Sequence, residues 1–426
     1  MLKINRLVII SFLIFTQLSL WGQNNTNSPY TRFGYGELAD RSFGAGRAMG
    51  GVGFGLRSSE QINPMNPASY SCMDSLTFIF DFGASGQVSW FSDGVNNERQ
   101  MNGNVEYMAM QFPITRRLAV SIGLLPFSHV GYEFGEARSE SGLTWAENFA
   151  GEGGLSEIYL GAAYDIWKKR LSVGFNAGFL FGNITHSRNL IFPSSTGSDD
   201  VYRNQRYEMR DYKLDFGVQY THPLSKDERV TAGFVFSPGK KLNTTVYDIQ
   251  SVGNMAASGY TRNDTIKNYR FDIPNSYGLG VSYVKENRLT VAADFLYEDW
   301  ADAHFDNQKG LFKNRTRVAA GVEYIPHYDY RNFFARIRYR GGFHYSNSYL
   351  RVSRSEENGY KGHGYNEYGA SVGFGLPLVD NRSLLNISFE YVKIRPELRT
   401  MIDEQYFRFT VNYTFNELWF IKRKVD

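Results

Sequence analysis

The stretch Tyr406-Phe407-Arg408-Phe409-Thr410-Val411-Asn412-Tyr413-Thr414-Phe415 decides the fold. Phe407, Phe409, Val411, Tyr413 and Phe415 alternate with Arg408, Thr410, Asn412 and Thr414. Successive side chains of a strand point to opposite faces, so this segment meets something apolar on one side and something polar on the other. Similar segments recur from residue 75 onward, near 75–91, 104–114, 117–128, 154–166, 170–186, 205–221, 229–247, 268–284, 288–298, 314–325, 332–347, 363–376, 383–394 and 404–415. That is fourteen, the even number a closed antiparallel bacterial barrel requires. The expected fold class is all-β: a transmembrane up-and-down β-barrel, apolar outside and polar within.

Working outward, the links between strands are of two kinds. Arg116-Arg117, Trp167-Lys168-Lys169, Lys285-Glu286-Asn287 and Val379-Asp380-Asn381-Arg382 are tight, whereas 129–153, 187–204, 248–267, 299–313 and 348–362 are long and polar. Short turns belong in the periplasm and long loops outside the cell. Before the strands, residues 1–22 combine Lys3 and Arg6 with an apolar run from Leu7 to Leu20 and Gly22 as a small cleavage residue, the pattern of an export signal. Residues 23–74 are rich in Gly, Asn, Ser and Pro and have weak periodicity, which suits an inward-folding plug; the alternative is an unstructured tail. The barrel proper is expected over 75–415, and 416–426 form a basic tail.

The bulk numbers agree. The 426 residues carry 46 Lys+Arg against 43 Asp+Glu, and loss of the leader leaves a net charge near +1, so no concentrated basic face for nucleic acid is expected. A mean hydropathy of −0.38 would describe a soluble protein. Barrels escape such averages because lumenal polar residues alternate with lipid-facing ones. Cys72 is the single cysteine, so no intrachain disulfide can form.

A resemblance enters on several stretches. Asn66-Pro67-Ala68 follows a Gly-rich lead-in, the segment Phe112-Pro113-Ile114-Thr115-Arg116-Arg117-Leu118 continues to Pro126-Phe127, and Ile273-Pro274-Asn275-Ser276-Tyr277 leads to Asp294-Phe295-Leu296-Tyr297-Glu298-Asp299-Trp300. In order and spacing these resemble the FadL/TodX-type outer-membrane transporters of long-chain fatty acids and hydrocarbons. The resemblance implies a 14-stranded barrel plugged by an N-terminal hatch, with a hydrophobic ligand leaving through the barrel wall. It also implies outer-membrane lipid as surroundings and the barrel-assembly machinery as a partner during biogenesis. Members of the same family serve protein secretion as shuttle or scaffold subunits, so a protein partner bound through the loops or the tail is the alternative.

No catalytic constellation stands out. The seven His are scattered, so neither metal nor cofactor is expected, and Gly44-Ala45-Gly46-Arg47-Ala48-Met49-Gly50 has the wrong spacing for a dinucleotide fingerprint. The lumen is more informative. If Phe333, Ala335, Ile337 and Tyr339 face lipid, then Arg336, Arg338 and Arg340 face inward, joined by Arg317 from the preceding strand. A guanidinium can grip a carboxylate with paired hydrogen bonds, so Arg317, Arg336, Arg338 and Arg340 are candidate headgroup ligands. The alternative is a structural lattice with Asp294, Glu298 and Glu323. Asn66, Pro67 and Ala68 form a candidate plug-gating turn. Trp145, Phe149, Trp300, Phe305 and Phe312 are candidate adsorption sites in loops, and Pro126 and Pro274 are candidate interruptions for a lateral opening.

Overall fold

The computed structural model describes residues 26–167, 169–193, 198–253, 260–267, 269–327, 332–352, 362–378 and 382–418. The expected leader, 1–22, and the cations of the tail, Lys422, Arg423 and Lys424, lie outside them.

Fourteen strands close into an antiparallel barrel. They are β2 (Thr77–Ser92), β3 (Asn97–Pro113), β4 (Leu118–Glu140), β5 (Leu143–Trp167), β6 (Leu171–Ile191), β7 (Val201–Pro223) and β8 (Glu228–Ser237), then β13 (Ser276–Lys285), β14 (Leu289–Glu298), β15 (Arg315–Tyr324), β16 (Arg338–Asn347), β17 (Tyr365–Pro377), β18 (Leu384–Pro396) and β19 (Asp403–Leu418). β19 pairs with β2 from Asp403↔Ser92 to Leu418↔Thr77 and closes the ring. This joint leaves no free edge where the first and last strands meet in the membrane, where an unpaired backbone group finds no water. The expected alternation holds on the surface: Phe175, Phe216, Phe234, Leu279, Phe295, Phe343, Val372, Phe389, Phe407 and Phe409 are all exposed and form an apolar belt.

The ends of the barrel differ. Both termini of the strand series lie at the end carrying the tight turns, the turn end. Several expected boundaries move at the opposite, loop end. Residues 129–153 and 187–204 are not long loops: β4 and β5 continue to a two-residue turn at Ser141 and Gly142, and β6 and β7 likewise run on. Polar side chains above the apolar belt hide this continuation, because a strand wet on both faces loses its alternation. The expected strand 229–247 stops at Ser237, and 268–284 begins at Ser276; between them run β9 (Lys240–Leu242), β10 (Thr244–Val252), β11 (Tyr260–Ile266) and β12 (Phe271–Ile273). β10 pairs with the upper part of β7 and with β11, so the sheet rises asymmetrically above the barrel.

Residues 26–74 sit within the ring. They hold β1 (Glu37–Leu38), a short helix Gly44–Ala48 and a 3₁₀ turn Pro67–Cys72. Wall glycines make room for them. A Cβ on Gly174 would lie 2.5 Å from the Pro67 carbonyl carbon, and one on Gly233 would lie 1.9 Å from the Phe54 oxygen. At those points plug backbone rests directly on wall backbone.

Candidate functional site

Two places in the barrel could act on a ligand, the lumen around the plug and an interruption in the wall. The lumen is laced with ion pairs. Arg317 reaches Asp40 of the plug at 2.9 Å and the Gly50 carbonyl at 3.3 Å. Burial alone would raise the Asp40 carboxyl, but Arg317 and Arg47 overcome it and hold it well below the usual carboxylate range. Arg338 pairs with Glu60 of the plug. Arg340 binds Glu323 at 2.6 Å and Asn386 at 2.6 Å. Arg41 of the plug contacts Asp215 at 3.0 Å and Glu157 at 3.3 Å. Arg340 thus meets one of the expected lattice acids, Glu323, whereas Arg317 and Arg338 meet acids of the plug. Of the other expected lattice acids, Glu298 pairs with Arg315 at 3.1 Å. Asp294 accepts the backbone N–H groups of Gly53 and Phe54 at 2.5 and 2.8 Å.

Arg336 is a correction. The alternation predicts a strand from 332, but Phe333–Arg336 is a short helix and β16 begins at Arg338. Arg336 thus lies at the turn end, outside the inward row of Arg338 and Arg340. Asn332 caps that helix, its side chain accepting the Phe334 N–H at 3.1 Å, and the cap overrides the strand pattern.

Asn66, Pro67 and Ala68 come together as a fastening. The fully buried Asn66 accepts the Ala68 N–H at 3.1 Å and donates to the carbonyls of Phe54 at 2.8 Å and Val218 at 3.3 Å. Proline at the first helical position loses no bond there. Tyr70 then donates to Asn176 at 3.0 Å.

The loop aromatics do not form an adsorption surface. Trp300, Phe305 and Phe312 pack with Tyr35 of the plug and with Tyr349 in a buried cluster, the Trp300 and Tyr349 ring centroids 4.7 Å apart. Phe149 is buried beneath Arg32 of the plug, whose guanidinium lies 3.8 Å above its ring. Trp145 packs on Phe192. This cluster is a buried core shared by the plug and the loops. Among the described residues, two cavities flank the plug: one of about 150 Å³ lined by charged residues that include Glu37, Arg47, Glu106, Arg315, Arg317 and Arg408, and one of about 700 Å³ at the turn end between Phe43, Leu56 and Glu60 of the plug and Glu323 and Arg338 of the wall.

The wall interruption lies between β3 and β4. These strands share six register pairs, from Met108↔Leu124 to Pro113↔Ala119. Above Met108, β3 pairs only with β2. A bulge between Pro126 and Ser128 turns β4 away, and beside it Gly153, Gly154 and Gly182 take φ values of +105°, +144° and +148°. A Cβ on Gly154 would lie 2.3 Å from the Ser128 oxygen, so the three strands fold along a common crease. Pro126 stands at that bulge, whereas Pro274 falls between β12 and β13. The plug covers part of the freed edge. β1 pairs with β4 at Glu37↔His129 and Leu38↔Ser128, and the Ala39 N–H donates to the Phe127 carbonyl at 3.0 Å. The Thr31 hydroxyl donates to the Gly131 carbonyl at 3.0 Å and accepts its N–H at 3.2 Å.

Beside this seam is a recess of about 650 Å³ with Phe82, Val105, Met108, Leu124, Leu125 and Phe181 in its walls. Glu106 lines both this recess and the lumenal cavity, and it pairs with Arg47 of the plug at 2.8 Å, both side chains nearly fully buried. The sequence pointed to the seam only through Pro126. The plug partners Asp40, Arg41, Arg47 and Glu60 went unremarked, although charges in a Gly- and Asn-rich segment are a usable signal.

Comparison with known proteins supports the architecture. The structure resembles the P. putida toluene transporter TodX, at TM-score 0.59 and 14% identity, covering 90% of this chain and 100% of that one. It is similar to the CymD monoaromatic hydrocarbon channel, at TM-score 0.56 and 14% identity over 90% and 98% of the two chains. A Pseudomonas aeruginosa FadL homologue matches at TM-score 0.57 and 12% identity over 89% and 99%. At these identities the likeness is one of fold. No curated protein matches the sequence. A family model described as BamG matches residues 1–426.

Proposed function

The chain belongs to the BamG family, and from its FadL-type barrel we propose an outer-membrane protein that passes hydrophobic molecules sideways through its wall. The observation that carries this is the seam. Unpaired backbone inside a bilayer costs several kcal/mol per group, roughly, so an open stretch of wall at the level of the apolar belt is retained where it serves a purpose. Met101 and Val105, on the unpaired part of β3, are exposed beside it. A hydrophobic molecule dissolved in the membrane, or held in the barrel, could cross there against Phe82, Met108 and Leu124 without meeting water.

A long-chain fatty acid is the finer form of the reading. Its chain suits the apolar side of the recess, formed by Phe82, Val105, Met108 and Leu124, and its carboxylate would face Arg47 at the inner end by displacing Glu106. Movement would be passive, down a gradient, with delivery to the periplasm when the helix Gly44–Ala48 shifts. The test is uptake of a fluorescent fatty acid into vesicles holding the purified protein. Val105→Trp with Leu124→Trp should narrow the seam and cut uptake severalfold, while Arg340→Ala should leave it unchanged. Equal uptake by the double variant would remove the seam from the mechanism.

The charge-matched lumen favours a second reading, a non-transporting barrel that serves as a protein-interaction or secretion-system subunit. Toward the loop end only about 150 Å³ is left beside the plug, below the roughly 300–1,000 Å³ of ordinary ligand pockets, whereas about 700 Å³ opens at the turn end. Arg317, Arg338 and Arg340 are already matched by carboxylates. This reading expects a stoichiometric protein partner on mild purification and no bound lipid-like ligand.

A further inference from the structure

The turn end carries a feature that neither reading uses. Three successive turns, at 114–117, 169–170 and 224–227, join β3 to β4, β5 to β6 and β7 to β8. Backbone bonds tie them side by side. The Asp165 N–H donates to the Arg117 carbonyl at 2.8 Å, and the Thr221 N–H donates to the Arg170 carbonyl at 2.7 Å. The resulting arc exposes Arg116, Arg117, Lys169, Arg170 and Lys226.

The neighbouring acids are mostly engaged elsewhere. Asp165 accepts the backbone N–H of Lys169 at 2.7 and 2.8 Å. Glu228 faces Lys285 at 3.5 Å and Glu286 faces Arg288 at 3.7 Å, which leaves Asp227 against five cations.

Apolar side chains are interleaved with these charges. Ile114, Ile166, Trp167 and Leu224 are 54%, 47%, 48% and 56% exposed. They continue lipid-facing rows: Met108 and Met110 lead to Ile114, Leu160 and Tyr164 to Ile166, and Val218 and Tyr220 to Leu224. The Arg170 guanidinium lies 5.5 Å over the Trp167 ring. Residues that end a lipid-facing row sit at the bilayer boundary, and cations within a few residues of them reach the depth of lipid phosphates. A hollow of about 520 Å³ opens between Arg170, Lys226 and Arg229, with the Thr221 and Ser225 hydroxyls on its walls and Asp227, Glu228 and Glu286 also lining it.

We propose that this arc binds anionic phospholipid headgroups of the inner leaflet, the phosphate among Arg170, Lys226 and Arg229 and the acyl chains along the Ile166 and Leu224 rows. Continuity with the lipid-facing rows selects a lipid over an acidic protein, because a surface for a soluble partner has no reason to continue the membrane belt.

Native mass spectrometry of the full chain in mild detergent tests the proposal, with dioleoyl-phosphatidylglycerol against dioleoyl-phosphatidylcholine as probes. The first phosphatidylglycerol should be retained about tenfold better, given the attraction each surface cation contributes, and high salt should erode the preference. Changing Arg116, Arg117, Lys169, Arg170 and Lys226 together to Gln should abolish it. Changing Arg99, Arg138, Arg188, Arg203 and Arg262 at the loop end to Gln should not. Heat-modifiable migration on a gel shows whether each variant is a closed barrel, and an all-Lys variant of the arc should keep the preference if the Gln form does not close. Equal retention of the two lipids, a preference that survives in a closed Gln variant, or displacement of the lipid by a co-purifying acidic protein would each overturn the assignment.

Discussion

Two joints in the same wall were built differently. Where β19 meets β2, sixteen residue pairs run without a break. Asn412 bonds Asp81 and the Tyr107 hydroxyl, Thr414 donates to Asp81 at 3.2 Å, and Asn386 donates to Asn412 at 2.6 Å. Where β3 meets β4, six pairs suffice, and plug residues 31–39 take over part of the freed edge. The first joint satisfies its backbone within the sheet, and the plug meets it through side chains, as where Ser28 donates to Glu404 and Arg408 faces Glu37. The second satisfies part of its backbone only while the plug is seated, so the position of the plug and the state of the wall are linked.

That contrast can be broken most sharply at Arg47. Arg47→Ala strands Glu106, which then lacks its buried partner, and should cost about 3–5 kcal/mol. The expected result is a lower melting temperature together with faster proteolysis within residues 26–74, and an unchanged melting temperature would count against a seam held by the plug. Gly36→Val should have the next effect. Gly36 has φ +83°, and a Cβ there would lie 2.2 Å from the His129 oxygen. The strain should cost about 1–3 kcal/mol and lift β1 from β4. Labelling of an introduced Leu38→Cys thiol should then accelerate, and equal labelling rates would show that β1 is not the clasp.

Asn412→Ala probes the other joint. It leaves buried polar groups short of a partner at about 1–3 kcal/mol, visible in urea unfolding, yet it should not change fatty-acid uptake through the seam. A joint effect on both would mean that the two regions are not independent. The smallest expected effect is one of pH. Burial pushes the Glu37 carboxyl up, with Arg408 only partly opposing it. A raised carboxyl favours the folded, protonated form, so this contribution is present below its folded value and fades as pH rises through it. Plug protection from protease should therefore strengthen as pH falls from neutral toward the ordinary carboxylate range, and Glu37→Gln should flatten that dependence. Protection that weakens over the same window would contradict the assignment.

The readability of the chain follows the same division. Strand alternation in 406–415 and its thirteen companions was legible because lipid on one face and polar groups on the other impose a period of two over each span. Above the belt that pressure stops, and residues 133–140 and 143–153 read as loop though they are strand. The inward direction of Arg317, Arg338 and Arg340 was legible for the same reason, while Arg336 was not, because an Asn332 cap outranks the pattern nearby.

By itself the sequence determined the barrel class, the number of strands, the presence of a non-strand segment ahead of them and the polar character of the lumen. Each is a consequence of local period and composition. The tertiary structure alone decided which plug acid meets which wall arginine, that Trp300, Phe305 and Phe312 pack with Tyr35 of the plug, and that β4 parts from β3 above Met108. Those outcomes depend on pairings between residues far apart in the chain, such as Asp40 with Arg317 and Arg47 with Glu106, and on a crease shared by Pro126, Gly154 and Gly182 on three strands. A pattern read along one strand at a time holds no record of its neighbours.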